Sequence, residues 1–180
     1  VAHARKMGLA DGARNVIEQH HEHADGTGFP LRLAGDHMSV GARIVALVNR
    51  YDNLCNPNVP SQALTPHEAL ALLFAQGRST FDGRILACFI KMMGIYPPGS
   101  AVQLSDERYA IVVSVNTDRP LKPRVLVYDR AVPPDEALLL NLETEPLLGI
   151  RRSLKPIALP REALDYLSPR PRVAYFFEPA

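Results

Sequence analysis

The chain has 180 residues, 47% of them hydrophobic, with 20 Lys and Arg against 19 Asp and Glu and a net charge of +1. That size allows one core with a small appendage, and the near-neutral balance excludes the strongly basic face that duplex nucleic acid demands. The two cysteines form no disulfide framework or thiolate zinc pattern, which points to a reduced, cytoplasmic setting, and the longest apolar runs fall well short of the roughly 20 residues of a membrane helix.

The opening stretch VAHARKMGLADG lacks the apolar run of a signal peptide. It starts with Val rather than Met, so the expectation is a piece of a longer protein. Asp11 precedes GARNVIEQHHEH, where Val16 and Ile17 begin an apolar face and the histidines fall toward the C-terminal end of a predicted helix. A second helix is predicted over Ser39–Asn56. Its apolar positions 44, 45, 47, 48, 51, 54 and 55 cover most of the helix surface, which predicts a central, well-buried element. A third starts at Thr65, with Pro66 at the first helical position and Glu68 three residues after the cap. In the fourth, DGRILACFIKMMG, Asp82 is the cap and Gly94 the stop.

The texture changes at YPPGS, residues 96–100. The runs AVQLS, YAIVVSVN and PRVLVYD are rich in Val, Ile and Tyr and predict two or three antiparallel strands; ALLLNLE is a candidate for another. Beyond Pro146, with Pro160, Pro169 and Pro171, a short helix is expected over 161–167 in REALDYL. The expected fold is mainly α: a helical part over residues 1–96, then a small antiparallel β-rich appendage over 97–180.

Within the first half, HHEHADGTGFP, residues 20–30, packs ligand-type side chains against a glycine-rich bend. Adjacent helical positions diverge by about 100°, so His20 and His21 would serve two neighbouring metals or bind where the helix ends. His20 and His23, three apart, can face each other. Imidazole suits Fe, Mn, Ni and Zn. The competing account is a solvated helix terminus, where histidine suits the negative end of the macrodipole. Asp-Gly and Gly-Phe-Pro are also ordinary loop chemistry, although two glycines let backbone approach a ligand. Phe29 would stack on a flat ring or fill a gap in the core.

HHEHADGTGFP followed by GARIVALVNRYDNL resembles the HD-GYP domain family, with two motifs in the right order and at the right separation. The resemblance covers about Gly8–Gly94, and the β-rich tail is similar to one found after many such domains. Members are helical, metal-dependent phosphohydrolases, many of which cleave cyclic di-GMP at a centre of two or three iron or manganese ions. The resemblance implies a divalent metal held by His20 and His21, with Asn49 at the position of a family aspartate, and a cyclic dinucleotide substrate lined by Gly28, Phe29 and Pro30. It names no catalytic acid or base for this chain.

The departures are specific. Phe29 replaces the tyrosine of the GYP triplet and lacks its hydroxyl. Asn49 offers a carbonyl oxygen but no negative charge. Asp52 is retained three residues later, and local hydrogen bonding accounts for it. Asn58, Val59, Pro60 and Ser61 stand where members often carry a phosphate-holding arginine. No His-Asp doublet precedes His20, and His3 is read as an exposed terminal histidine.

Three functional readings follow. The first is part of a cyclic di-GMP phosphodiesterase of bacterial signalling. The second is a catalytically degenerate nucleotide-sensing or docking module, with diguanylate cyclase domains as the kind of partner. The third is an inactive helical piece whose apolar surface around residues 42–55 drives homodimer formation. Arg43, Arg50, Arg119, Lys122, Arg124, Arg151, Arg152 and Lys155 read as solvated or salt-bridged surface, with docking of an acidic partner as the other reading of the last six. HEALALLFA, Met92 and Met93 read as core.

Overall fold

The computed structural model describes residues 2–168, with six α-helices and five strands among them. Pro169 and Pro171 lie outside the described residues. The described chain divides into two compact units. One takes the chain up to Leu54 together with Ala71–Phe89; the other takes Cys55–Leu70 and runs onward from Ile90.

The first unit opens with a short helix, α1 (Ala2–Lys6), which the sequence reading did not anticipate. It closes at Gly8, whose φ of +67° is the left-handed conformation suited to glycine. His3 on α1 is exposed, as expected. Helix α2 (Asp11–Gln19) starts without a side-chain cap, and Asp11 instead pairs with Arg14 in its first turn. It also stops four residues before His23. The Gln19 Oε1 atom accepts from the Ser39 amide at 3.0 Å, joining the end of α2 to the start of α3 (Val40–Cys55). Ser39 Oγ caps α3 by accepting from the Ala42 amide at 3.2 Å.

Helix α3 departs from the expectation of a well-buried element. Ala42, Ala46, Leu47, Tyr51 and Cys55 are buried, but Val40, Ile44, Val45 and Val48 are exposed. The small Ala residues line the packed side, and the branched residues form a solvent-facing stripe. Tyr51 meets Phe89 edge-on within the same unit, centroids 5.3 Å apart.

Helix α4 (Pro66–Thr80) starts as its sequence predicts. Thr65 Oγ1 accepts from the Glu68 amide at 3.2 Å, and Glu68 Oε2 accepts from the Thr65 amide at 2.7 Å. This reciprocal pair satisfies two otherwise orphaned donors. Ala69, Leu70 and Leu73 are buried, whereas Phe74 is exposed with the Arg78 guanidinium 4.6 Å over its ring. Helix α5 (Gly83–Met93) is capped by Asp82, whose Oδ1 accepts from the Arg84 and Ile85 amides at 3.0 and 3.1 Å. Gly94 ends it at φ +68°. Met93 is core, but Met92 is exposed, because neighbouring residues on a helix face different directions.

The second unit holds an antiparallel sheet. Its strands are β1 (Ala101–Leu104), β2 (Tyr109–Ser114), β3 (Arg124–Val127), β4 (Leu139–Asn141) and β5 (Ile150–Leu154). The order is β4-β3-β2-β1-β5, all neighbours antiparallel. Alternation sets two faces. Val102, Leu104, Ala110, Val112, Val125 and Val127 form one core with Leu142. Ala101, Tyr109, Ile111, Leu126, Tyr128 and Leu154 turn to the other, where Leu159, Leu164 and Leu167 join them. The last two belong to α6 (Arg161–Leu167). Strand β1 is buried throughout because both of its faces are covered.

The expected class, a mainly helical part followed by a small antiparallel β-rich appendage, is the one observed. The run ALLLNLE supplies β4, the additional strand it was a candidate for, and the sheet has one strand more than expected. Strand β5, reading IRRSL, was missed because it is a polar edge. Arg151 pairs with Glu107, and Arg152 Nε donates to Gln103 Oε1 at 2.9 Å. Cross-strand contacts of this kind stabilise an edge that hydrophobic alternation cannot reveal. Lys122 also has partners: its Nζ donates to the Glu145 and Leu148 carbonyls at 3.1 and 2.5 Å.

Candidate functional site

The histidines do not sit on a helix face. His20 is the residue just past α2 and His21 lies in the turn beyond it. The divergence expected between adjacent helical side chains therefore does not apply, and the two rings approach to 3.9 Å between centroids. His20 Nδ1 lies 2.8 Å from the Ile17 carbonyl. A carbonyl only accepts, so Nδ1 carries a proton; in the neutral tautomer this arrangement leaves Nε2 as the nitrogen open to a metal. Partial desolvation, and then the neighbouring His20, hold the His21 imidazole below the usual histidine range. A neutral ring is the ligating form.

Phe29 comes to this pair. Its ring stacks on His21 with centroids 4.8 Å apart and an interplanar angle of 18°, while 61% of the residue stays exposed. It does not fill the core. Pro30 follows through a cis peptide bond and is exposed as well. His23 goes elsewhere. Thr27 Oγ1 donates to Asp25 Oδ1 at 2.6 Å, and His23 Nδ1 lies 3.0 Å from the same hydroxyl, so the ring nitrogen is the donor there. The His23 ring also approaches Phe81 edge-on, centroids 5.8 Å apart. The Thr27 hydroxyl and amide hold the Asp25 carboxyl below the usual carboxylate range.

Glu22 shapes this turn, and the sequence reading assigned it nothing. It is fully buried. One carboxylate oxygen accepts from the Leu31 amide at 2.6 Å and the other from the Leu33 amide at 3.0 Å. Hydrogen bonds to a charged group contribute about 1.5–3 kcal/mol each. Further bonds close the loop: Phe29 N–H to the His21 carbonyl at 3.2 Å, Gly35 N–H to the Ala24 carbonyl at 3.0 Å, and Ala24 N–H to the Thr80 carbonyl at 2.8 Å. Gly28 is packed against this turn. A Cβ there would lie 2.3 Å from the His23 amide nitrogen and 2.4 Å from the Glu22 Cα. The close approach expected of this glycine is thus to its own chain.

Asn49 is half-buried on α3, and no hydrogen bond among the described residues joins its side chain to either imidazole. No three His, Cys, Asp or Glu side chains among the described residues converge as a metal-holding group. Two imidazoles in the neutral form would fit a divalent metal as ligands, but they are an incomplete shell by themselves. Arg43, one of two arginines within the α3 motif, is engaged structurally. Its Nη1 lies 2.7 Å from Asp82 Oδ2, as the salt-bridge reading has it.

Residues 4–85 match the HD domain family. The chain is also 33% identical over 114 residues to a cyclic di-GMP phosphodiesterase of Pseudomonas aeruginosa, covering 63% of this chain and 27% of that protein. A probable cyclic di-GMP phosphodiesterase of Vibrio cholerae is 34% identical over 82 residues, covering 46% of this chain and 19% of the relative. A cyclic di-GMP phosphodiesterase response regulator of Xanthomonas campestris is 37% identical over 76 residues, covering 42% of this chain and 20% of the relative. These matches support an HD-GYP-like assignment for residues 4–85. The chain spans only about a fifth to a quarter of the length of these curated relatives.

As an HD-GYP-like chain it retains the HHE and DGTGFP stretches in one closed loop, with Phe29 placed flat on the second histidine. Where members often carry the phosphate-holding arginine, Asn58, Val59, Pro60 and Ser61 are all exposed, and Pro60 opens a 3-10 turn over Pro60–Gln62. No cation stands at those four positions. No helix among the described residues is long and apolar enough to cross a membrane.

Proposed function

We propose that this chain carries one side of a metal-dependent phosphodiesterase site for a cyclic dinucleotide, within a longer protein. The observation that supports it most is the His20–His21 pair, with rings 3.9 Å apart and the His20 Nδ1 proton held on the Ile17 carbonyl. The names of the relatives, cyclic di-GMP phosphodiesterases, favour a cyclic dinucleotide as the substrate. A bound divalent metal, iron or manganese, would polarise the phosphate and supply hydroxide from water near neutral pH. His20 and His21 would hold it through ring nitrogens, and Asn49 would add an uncharged oxygen. Gly28 lets the loop fold tightly enough to set Phe29 and Pro30 beside His21 as a substrate lip. The exposed face of Phe29 is suited to a flat nucleobase.

The decisive experiment uses the full-length parent, purified under reducing, anaerobic conditions. Metal analysis is expected to find iron or manganese, and cyclic di-GMP is expected to yield pGpG or GMP. A protein with neither metal nor hydrolysis overturns this reading.

A second reading is favoured by Asn49 and by the uncharged stretch at 58–61. In it the fold persists as a nucleotide-sensing or docking module, with diguanylate cyclase domains as partners. Asn49→Asp separates the two. A large gain in hydrolysis on restoring the carboxylate supports degeneration, and a parent that hydrolyses cyclic di-GMP as fast as the variant refutes it. Both readings set the protein in the reducing cytoplasm, which thiols outside any disulfide at Cys55 and Cys88 suit. Self-association through the exposed stripe of Val40, Ile44, Val45 and Val48 belongs to the same proposal, and sedimentation at rising concentration tests it.

A further inference from the structure

Glu22 stands next to the histidine pair, where a carboxylate would ordinarily be taken as a third ligand. Its geometry is different. The side chain is fully buried, and its two oxygens are engaged separately by the Leu31 and Leu33 amides at 2.6 and 3.0 Å. Gly28 is packed over its Cα. A second, independent feature lies between the two donors. Arg32 has φ +54°, a left-handed conformation that a side chain of this size rarely adopts. The Leu31 N–H lies in the Pro30–Leu31 peptide unit and the Leu33 N–H in the Arg32–Leu33 unit, so the left-handed residue sits between two N–H groups that meet one carboxylate. Strain of this kind persists only where surrounding contacts over-determine it, and the Glu22 clamp supplies them.

We propose that Glu22 is a positioning residue: its buried carboxylate, holding the Leu31 and Leu33 amides, keeps the Phe29–Pro30 lip against His21 and so governs nucleotide affinity rather than metal retention. The affinity half rests on the phosphodiesterase reading above. Leu31 is the second residue after Phe29, so releasing its amide frees the lip directly. The histidines are held by other contacts, His20 by the Ile17 carbonyl and the turn by the Glu22 N–H bond to the Gln19 carbonyl at 2.9 Å. Neither of these uses the Glu22 side chain.

The test is Glu22→Gln in the full-length protein. The amide keeps the shape but offers one acceptor oxygen for two donors. Hydrogen exchange is expected to accelerate at least tenfold across residues 29–35, with α3 and α4 unchanged. The KM for cyclic di-GMP is expected to rise at least fivefold, with kcat changed less than twofold and metal per chain unchanged. Loss of metal would instead make Glu22 a ligand, and a fall in kcat at constant KM would remove it from lip positioning; either overturns the inference. Should the variant fail to fold, the wild-type protein still decides: unprotected exchange at the Leu31 and Leu33 amides refutes the clamp. A wild-type protein that binds no cyclic dinucleotide removes the phosphodiesterase reading and the affinity half with it, while exchange still judges the clamp.

Discussion

The Phe29 ring lies almost parallel to the His21 imidazole, 18° from coplanar and 4.8 Å away between centroids. This contact joins the two halves of the loop motif: a ligand-type histidine on one side and the lip residue on the other. It also covers one face of His21, in keeping with the desolvation that lowers the pKa of that imidazole. Because most of Phe29 remains exposed, the ring contributes little to the core and is available to a ligand.

Phe29→Ala is therefore expected to change folding stability by no more than about 0.5–1 kcal/mol, as for other exposed positions. Cyclic dinucleotide affinity is expected to fall about tenfold or more, since base stacking on an aromatic ring contributes about 1–3 kcal/mol. Urea unfolding and equilibrium binding of cyclic di-GMP check the two halves separately.

Gly28→Ala should do the opposite. Its new Cβ would meet backbone atoms of residues 22 and 23 at 2.3–2.5 Å, and backbone cannot rotate away as a side-chain tip can. A loss at or above the upper end of the usual overpacking range of about 1–3 kcal/mol is expected. A lower urea midpoint with an unchanged m-value would report it.

Asp82→Ala removes the α5 cap and the partner of Arg43 together. The cap alone is worth about 0.5–2 kcal/mol, and a half-buried guanidinium left without its carboxylate adds to the loss. The Ile85 amide first, with Arg43 and the Arg84 amide contributing against partial desolvation, holds the Asp82 carboxyl below the usual carboxylate range. A depressed carboxyl pKa stabilises the folded state above the ordinary carboxylate pKa. That contribution disappears as pH falls through the depressed value. The stability gap between wild type and Asp82→Ala should thus be full at pH 7 and should narrow only in strong acid, as paired urea titrations would show.

Thr65→Ala disrupts the reciprocal cap of α4 and a contact to Ser153 Oγ at 3.1 Å. A cost of about 1 kcal/mol is expected. Thr65→Ser keeps the hydroxyl and should recover most of it in the same thermal or urea measurement.

Local signals were read well where local contacts decide the outcome. The Thr65–Glu68 cap, the Asp82 cap and the Gly94 stop all involve partners within four residues. The alternation through Val102, Val112 and Val125 likewise announced strands. The helix through His23 did not form, because the turn after Gln19 is held by partners nine and eleven residues away, at Leu31 and Leu33. The polar strand β5 depends on Glu107 and Gln103, 44 and 49 residues distant. On α3, periodicity identified the helix but overstated its burial, since period alone counts apolar residues and not the neighbours that cover them.

The order and spacing of two short motifs, the caps and the apolar periods were enough to indicate the family and most elements. They also nominated side chains for metal binding and base stacking, which remain proposals. Only the folded chain decided that the His20 and His21 rings converge, that Phe29 faces His21 and that Glu22 turns inward to hold backbone. The division has a physical cause: propensity and capping act over one helical turn, whereas burial and the pairing of distant amides exist only once the chain has closed on itself.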